Sequence, residues 1–237
     1  MLSQMLNINV NGTLSCMATA NAQGINITEC DMDGDLDMSG NNLQSLPFSL
    51  HEVTGDFKID NNKISQLTGA PNWVGGSFYC RSNTLESLVG CPKVVGANFC
   101  CDGNLLTSLA GLPDKIPGIL SCANNRIASL SDIRVEVFDT FDLSSNPLKN
   151  LRGIDKSLAA CGRLVLNGCS IEEGGVSLIN VPNLRAIVAF DAGVFERAAE
   201  IINKYLELRE STTSQAALML KCKAELEREG LARFGLI

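Results

Sequence analysis

Along the middle of the chain, apolar and polar positions recur with a single step. Leu36, Phe57, Phe78, Phe99, Leu120 and Phe141 stand 21 residues apart, and two positions further on Met38, Ile59, Cys80, Cys101, Cys122 and Leu143 keep the same interval. The step also holds for Asn41, Asn62, Asn83, Asn104, Asn125 and Asn146, for Leu43, Ile64, Leu85, Leu106, Ile127 and Leu148, and for Leu46, Leu67, Leu88, Leu109, Leu130 and Leu151. Five columns in one register predict a solenoid, in which no coil buries its apolar edge alone and stacked coils share a core. The first and third apolar residues of each coil point inward from a short strand, and the asparagine behind them is placed to bond turn backbone in its own and the neighbouring coil.

Gly69, Gly90 and Gly111, each followed two residues later by Pro71, Pro92 and Pro113, mark the return turn, with Val53, Val74, Val95, Ile116 and Val137 as one more buried position. A further coil, with Leu164, Leu166, Cys169 and Ile171, follows after a 23-residue step and places a cysteine in the asparagine column.

The ends break the period. Leu6–Val10 and Thr13–Met17 alternate around Asn11-Gly12, which predicts a hairpin covering the first coil. At the other end, Leu184–Phe190 reads as a last strand. Asp191 is placed to N-cap a helix with Phe195, Ala198, Ile202, Tyr205 and Leu206 on its apolar face. Thr212 and Gln215 form a capping box for a second helix with Leu218, Cys222 and Leu226 inward and Gly230 as its stop, and Phe234, Leu236 and Ile237 are expected to fold back on it. The predicted fold is α/β: a solenoid of 21-residue coils with a curved parallel sheet, an N-terminal β-hairpin cap over 1–33, the solenoid over 34–190 and a C-terminal helical cap over 191–237.

The unit apolar-x-apolar-x-x-Asn-x-apolar-x-x-Leu resembles the leucine-rich repeat over roughly residues 34–171. Its fuller form, GxFxCxxNxLxSLxGxPxxVG, is similar to leucine-rich-repeat-like proteins of large tailed bacteriophages. The Pro-x-x-Val-Gly turn departs from the turns of bacterial effector repeats, so no effector activity is carried over. The resemblance implies a phage protein that binds a host or phage protein in the bacterial cytoplasm, in host-defence interference or protein targeting. The alternative is a structural or assembly component of the particle.

Charge narrows the choice of partner. The net charge is -7, and residues 1–120 hold eleven acidic against five basic residues. Such a half repels phosphate backbones and favours a protein with a basic segment. No apolar run has the length of a membrane span, and the N-terminus lacks a basic segment followed by an apolar run, so secretion is not expected.

Catalytic and metal chemistry find little support. Cys80, Cys101 and Cys122 fall in an inward column and are expected to be reduced core residues, whereas Cys100 should point outward at the surface. Zinc needs four convergent ligands, and the chain has no C-x-x-C and one histidine, His51, placed on a return turn without a nucleophile beside it. Asp31, Asp33, Asp35 and Asp37 resemble a calcium loop, but Leu36 and Asn42 stand where glycine and the bidentate glutamate are required. No cofactor is expected and the protein reads as a non-enzyme. A site on the helical cap would have to use Glu196, Arg197, Glu200 and Lys204, whose spacing suits solvated pairs along one helix.

What remains is the open face of the sheet. Its outward residues include Asp35, Asp37, Asp56, Lys58, Asp60, Tyr79, Arg81 and Asp102, an anionic field around one aromatic and one guanidinium group, and these are the candidate partner-binding residues.

Overall fold

Inward apolar side chains at a fixed interval stack into continuous columns, and the parallel register follows from them. The computed structural model describes residues 9–21, 24–131, 133–211 and 214–236; for 9, 10, 13–21, 24–29 and 210 only the backbone is described. Eight strands form the main row: β2 (Gly24–Asp37), β4 (Phe57–Lys58), β6 (Phe78–Tyr79), β8 (Phe99–Cys100), β10 (Leu120–Ser121), β11 (Val135–Asp142), β13 (Leu158–Val165) and β15 (Ala186–Val188). Leu36, Phe57, Phe78, Phe99, Leu120, Phe141, Leu164 and Ile187 are register partners along it. The 21-residue column is therefore one line of the core, with Phe57 stacked on Phe78 at 5.5 Å and Phe78 edge-on to Phe99 at 5.2 Å. The architecture is a parallel β-solenoid with a C-terminal helical region.

The valine column does more than fill space on the return side. β3 (Leu50–Val53), β5 (Trp73–Val74), β7 (Val94–Val95) and β9 (Lys115–Ile116) make a second row of parallel strands, which the long strands β2 and β11 join to the first. Between the rows the chain bends at Gly55, Gly75-Gly76, Gly96 and Gly118. A Cβ on Gly75 or Gly96 would overlap the carbonyl oxygen of Thr54 or Gly75 in the coil before. Glycine is needed there because backbone lies against backbone. His51 sits in β3 rather than on a turn, with its Nδ1 3.1 Å from Asp31 Oδ1.

The asparagines form a buried ladder. Asn104 Nδ2 donates to the carbonyls of Cys80 and Cys101, both at 3.0 Å, while its Oδ1 accepts the Leu85 N–H at 3.0 Å. Asn62, Asn83, Asn125 and Asn146 repeat the pattern. In the coil after the 23-residue step, Cys169 Sγ takes over and donates to the Leu143 carbonyl at 3.2 Å. That longer step accommodates β12 (Asn150–Leu151) and α1 (Ile154–Ser157); β12 pairs with β14 (Glu173–Gly174) of the next coil, apart from the main sheet.

The N-terminal hairpin is built differently from the sequence expectation. Asn11-Gly12 lies inside a single strand, β1 (Asn9–Asn21), antiparallel to β2, with Asn21 opposite Gly24. Gly12 faces Gly34, where each Cβ would meet the opposing backbone, so the glycine serves cross-strand contact and not a turn. The second strand of this hairpin is also the first strand of the solenoid, since Leu36 pairs with Phe57. Cys30 is disulfide-bonded and stands opposite Cys16, whereas Cys80, Cys101 and Cys122 are buried free thiols.

At the C-terminus α2 (Val194–Leu208) buries Phe195, Ala198, Ile202, Tyr205 and Leu206. Gly193 precedes it, and Asp191, at φ 53°, makes no capping bond. α3 (Gln215–Arg228) is capped by Ser214, whose Oγ accepts the Ala217 N–H; the expected cap Thr212 lies outside the described residues. Leu218, Cys222 and Leu226 are buried, and Gly230 at φ 74° ends the helix as the Leu231 N–H reaches back to Leu226 O. Phe234 is buried and Leu236 half-buried, and Ile237 lies outside the described residues. No helix among the described residues is long and apolar enough to cross a membrane.

Candidate functional site

Outward positions of the main row form three columns on the open face, and two of them are tied into the backbone of the next coil. Asp35 Oδ1 accepts the Asp56 N–H at 2.8 Å, Asp56 Oδ1 accepts the Ser77 N–H at 2.8 Å, Ser77 Oγ accepts the Asn98 N–H at 3.3 Å, and Asn98 Oδ1 accepts the Ile119 N–H at 2.8 Å. On the far side of the strand Asp60 Oδ1 accepts the Arg81 N–H at 2.7 Å, and Asp102 Oδ1 accepts from Ala123 N–H and from the Ser121 hydroxyl. Asp37 Oδ1 holds the Ser39 N–H two residues on. Asp35, Asp56, Asp60 and Asp102 are thus ladder rungs as well as charges. The Asp56 N–H, with help from Asn11 and Lys58, holds the Asp35 carboxyl below its ordinary range.

The central column carries the recognition chemistry. Lys58, Tyr79 and Cys100 are register partners, and two cations approach the Tyr79 ring, with Lys58 Nζ 5.5 Å and the Arg81 guanidinium carbon 5.0 Å from its centroid. Arg81 is fixed in turn by the nearly buried Asp60, whose Oδ2 accepts from Nε at 3.0 Å and Nη2 at 2.6 Å, so this carboxylate raises the Arg81 pKa. Lys58 also reaches Asp56 at 3.3 Å. All eight candidate residues therefore lie on or beside four consecutive strands, β2, β4, β6 and β8.

Cys100 departs from expectation. Although its position faces outward, it is only 9 % exposed, and burial pushes its thiol up to about 12. It is a covered, weakly acidic thiol and not a reactive one.

Sequence reasoning read the acidic residues as surface charge and missed their backbone bonds. A signal existed: positions 35, 56, 77 and 98 hold Asp, Asp, Ser and Asn, all short side chains able to accept a bond from the next coil. In the helical region, Arg197 pairs with Glu229 at 2.5 Å and Lys204 with Glu225 at 2.9 Å, so these charges bridge α2 to the end of α3 instead of pairing along one helix. Among the described residues no group of three or more His, Cys, Asp or Glu is placed to hold a metal ion. A scan against protein-family models finds no match, and searches of curated proteins and of solved structures find none either.

Proposed function

We propose that the protein is a non-enzymatic interaction module whose open face binds a protein partner through a basic segment. The observation that carries this reading is Tyr79, with both Lys58 and the Asp60-held Arg81 against its ring, within a row of aspartates. Aromatic and guanidinium groups are the side chains that most often anchor interfaces. The surrounding carboxylates supply long-range attraction for lysine and arginine. Eight strands give seven steps of about 4.8 Å, a face roughly 34 Å long, enough for a standard interface of about 800 Å² per partner.

The particular setting rests on the coil pattern. Its similarity to leucine-rich-repeat-like phage proteins supports a phage protein acting on a host or phage protein inside an infected bacterium, with the hairpin and the helical region as caps of the repeat.

The test must separate charge from fold. Asp35→Asn, Asp37→Asn and Asp56→Asn keep the oxygen that accepts each backbone N–H and remove only the charge. Affinity capture from infected bacterial cells identifies the partner, and titration with the purified partner then follows. The combined asparagine variant should bind more weakly and with a shallower salt dependence, and Tyr79→Ala should lose about tenfold or more in affinity, each in a protein that remains folded. Parent affinity in both variants would defeat the reading.

A further inference from the structure

We propose that two copies of the chain form a two-fold symmetric dimer by antiparallel pairing of their β1 edges. Among the described residues β1 pairs only with β2, so one side of a 13-residue strand ends the sheet. Exposed strand edges are ordinarily guarded by lysine, proline, bulges or short length, because an open row of N–H and C=O groups accepts any other strand. β1 has little of this. Residues 1–28 contain no Asp, Glu, Lys, Arg, His or Pro. The single irregularity against β2, between Met17 and Ala18, leaves Asn9–Met17 in regular register, about 30 Å of strand. The edge is presented in a fixed position, since β2 belongs to the solenoid and Cys30, opposite Cys16, is disulfide-bonded.

The chemistry favours a second copy over a foreign strand. A partner chosen by charge would find no charge on β1 to read, whereas a neutral strand meets its own copy without repulsion. The nearest charges are Glu29, Asp31, Asp33, Asp35 and Asp37 on β2, opposite Met17, Ser15, Thr13, Asn11 and Asn9. In the order β2-β1-β1-β2 the two aspartate rows lie three spacings apart, about 14 Å, beyond the screening length of about 8 Å at physiological salt.

The far edge explains why assembly would close at two. The backbone of Ile187 on β15 is taken by a side chain from α2: Asn203 Oδ1 accepts the Ile187 N–H and Asn203 Nδ2 donates to the Ile187 carbonyl, both at 2.8 Å. With that edge occupied, pairing is isologous and gives a dimer, not a fibre. An antiparallel edge pair has its two-fold axis perpendicular to the sheet, so both open faces lie on the same side.

Sedimentation equilibrium of the full chain without reductant tests this. The expected result at physiological salt is a reversible species of twice the 25.3 kDa chain mass. It should weaken in low salt, where screening extends to about 30 Å and the aspartate rows repel, a trend opposite to that of a basic partner. Thr13→Asp with Ser15→Asp should weaken dimerisation about tenfold or more, because the added like charges bring the acidic rows up to the axis. Should that variant fold poorly, hydrogen exchange on the parent decides: alternate amides within Asn9–Met17 should gain protection as concentration rises. A single-chain mass at every concentration, growth beyond two copies, or a dimer insensitive to the added aspartates with no added protection in β1 would each overturn the proposal.

Discussion

Asn104 shows how much of the coil rests on one side chain. Four backbone groups, from its own coil and the coil before, converge on it, and it is almost fully buried. Asn104→Ala should lower stability by about 2–4 kcal/mol, since a buried group deprived of its partner costs roughly 1–3 kcal/mol. The check is a lower urea midpoint at unchanged m-value, set against the exposed control Glu86→Ala. The thiols act at the same scale. Burial pushes Cys91, Cys100, Cys161 and Cys222 from an ordinary value of 9.0 up to about 12. The native state keeps these protons where the unfolded chain has already lost them, so their contribution to stability is complete below pH 9 and falls as the pH rises from about 9 towards 12. The urea midpoint should therefore drop between pH 8 and pH 10.5, and less so in a Cys100→Ala variant. A flat profile would contradict the burial of these groups.

The coil as an element was legible in the sequence because its inward positions answer to one requirement, apolar volume at a fixed interval. The same holds for the buried faces of α2 and α3, where Phe195, Ile202, Leu218 and Leu226 stand as their spacing predicts. The elements misread were those where a local signal lost to a tertiary one. Asn11-Gly12 carries a turn signature, yet Gly12 is held in a strand by its contact with Gly34. Asp191 looks like a helix cap, but its left-handed backbone precedes Gly193, and the helix starts later. The site was half legible: the open face and its residues could be read from alternation, whereas the backbone bonds of its aspartates depend on the neighbouring coil. The bend between the two strand rows gives this scale its prediction. Gly96→Ala would drive a methyl group into the Gly75 carbonyl, which cannot move without shifting a whole coil. The change should destabilise by about 2 kcal/mol or more, against only about 1 kcal/mol for Gly40→Ser, where the surroundings are open but the backbone is left-handed. Thermal melts of the two variants check the order.

For the whole molecule, the two ends of the stack differ in kind. One is an uncharged strand, the other a backbone edge already occupied by Asn203. Between them the asparagine ladder, the aspartate ladder and the strand pairs all join one coil to the next. This has a mechanical consequence. A load applied to the two ends of the chain acts along those inter-coil bonds, which resist one coil at a time and not all together. Stretched in an optical trap, the solenoid should lengthen in steps. Each step frees 21 residues, about 70 Å of extended chain less the roughly 5 Å thickness of the coil it leaves, and the two 23-residue coils, Phe141 to Leu164 and Leu164 to Ile187, give slightly longer ones.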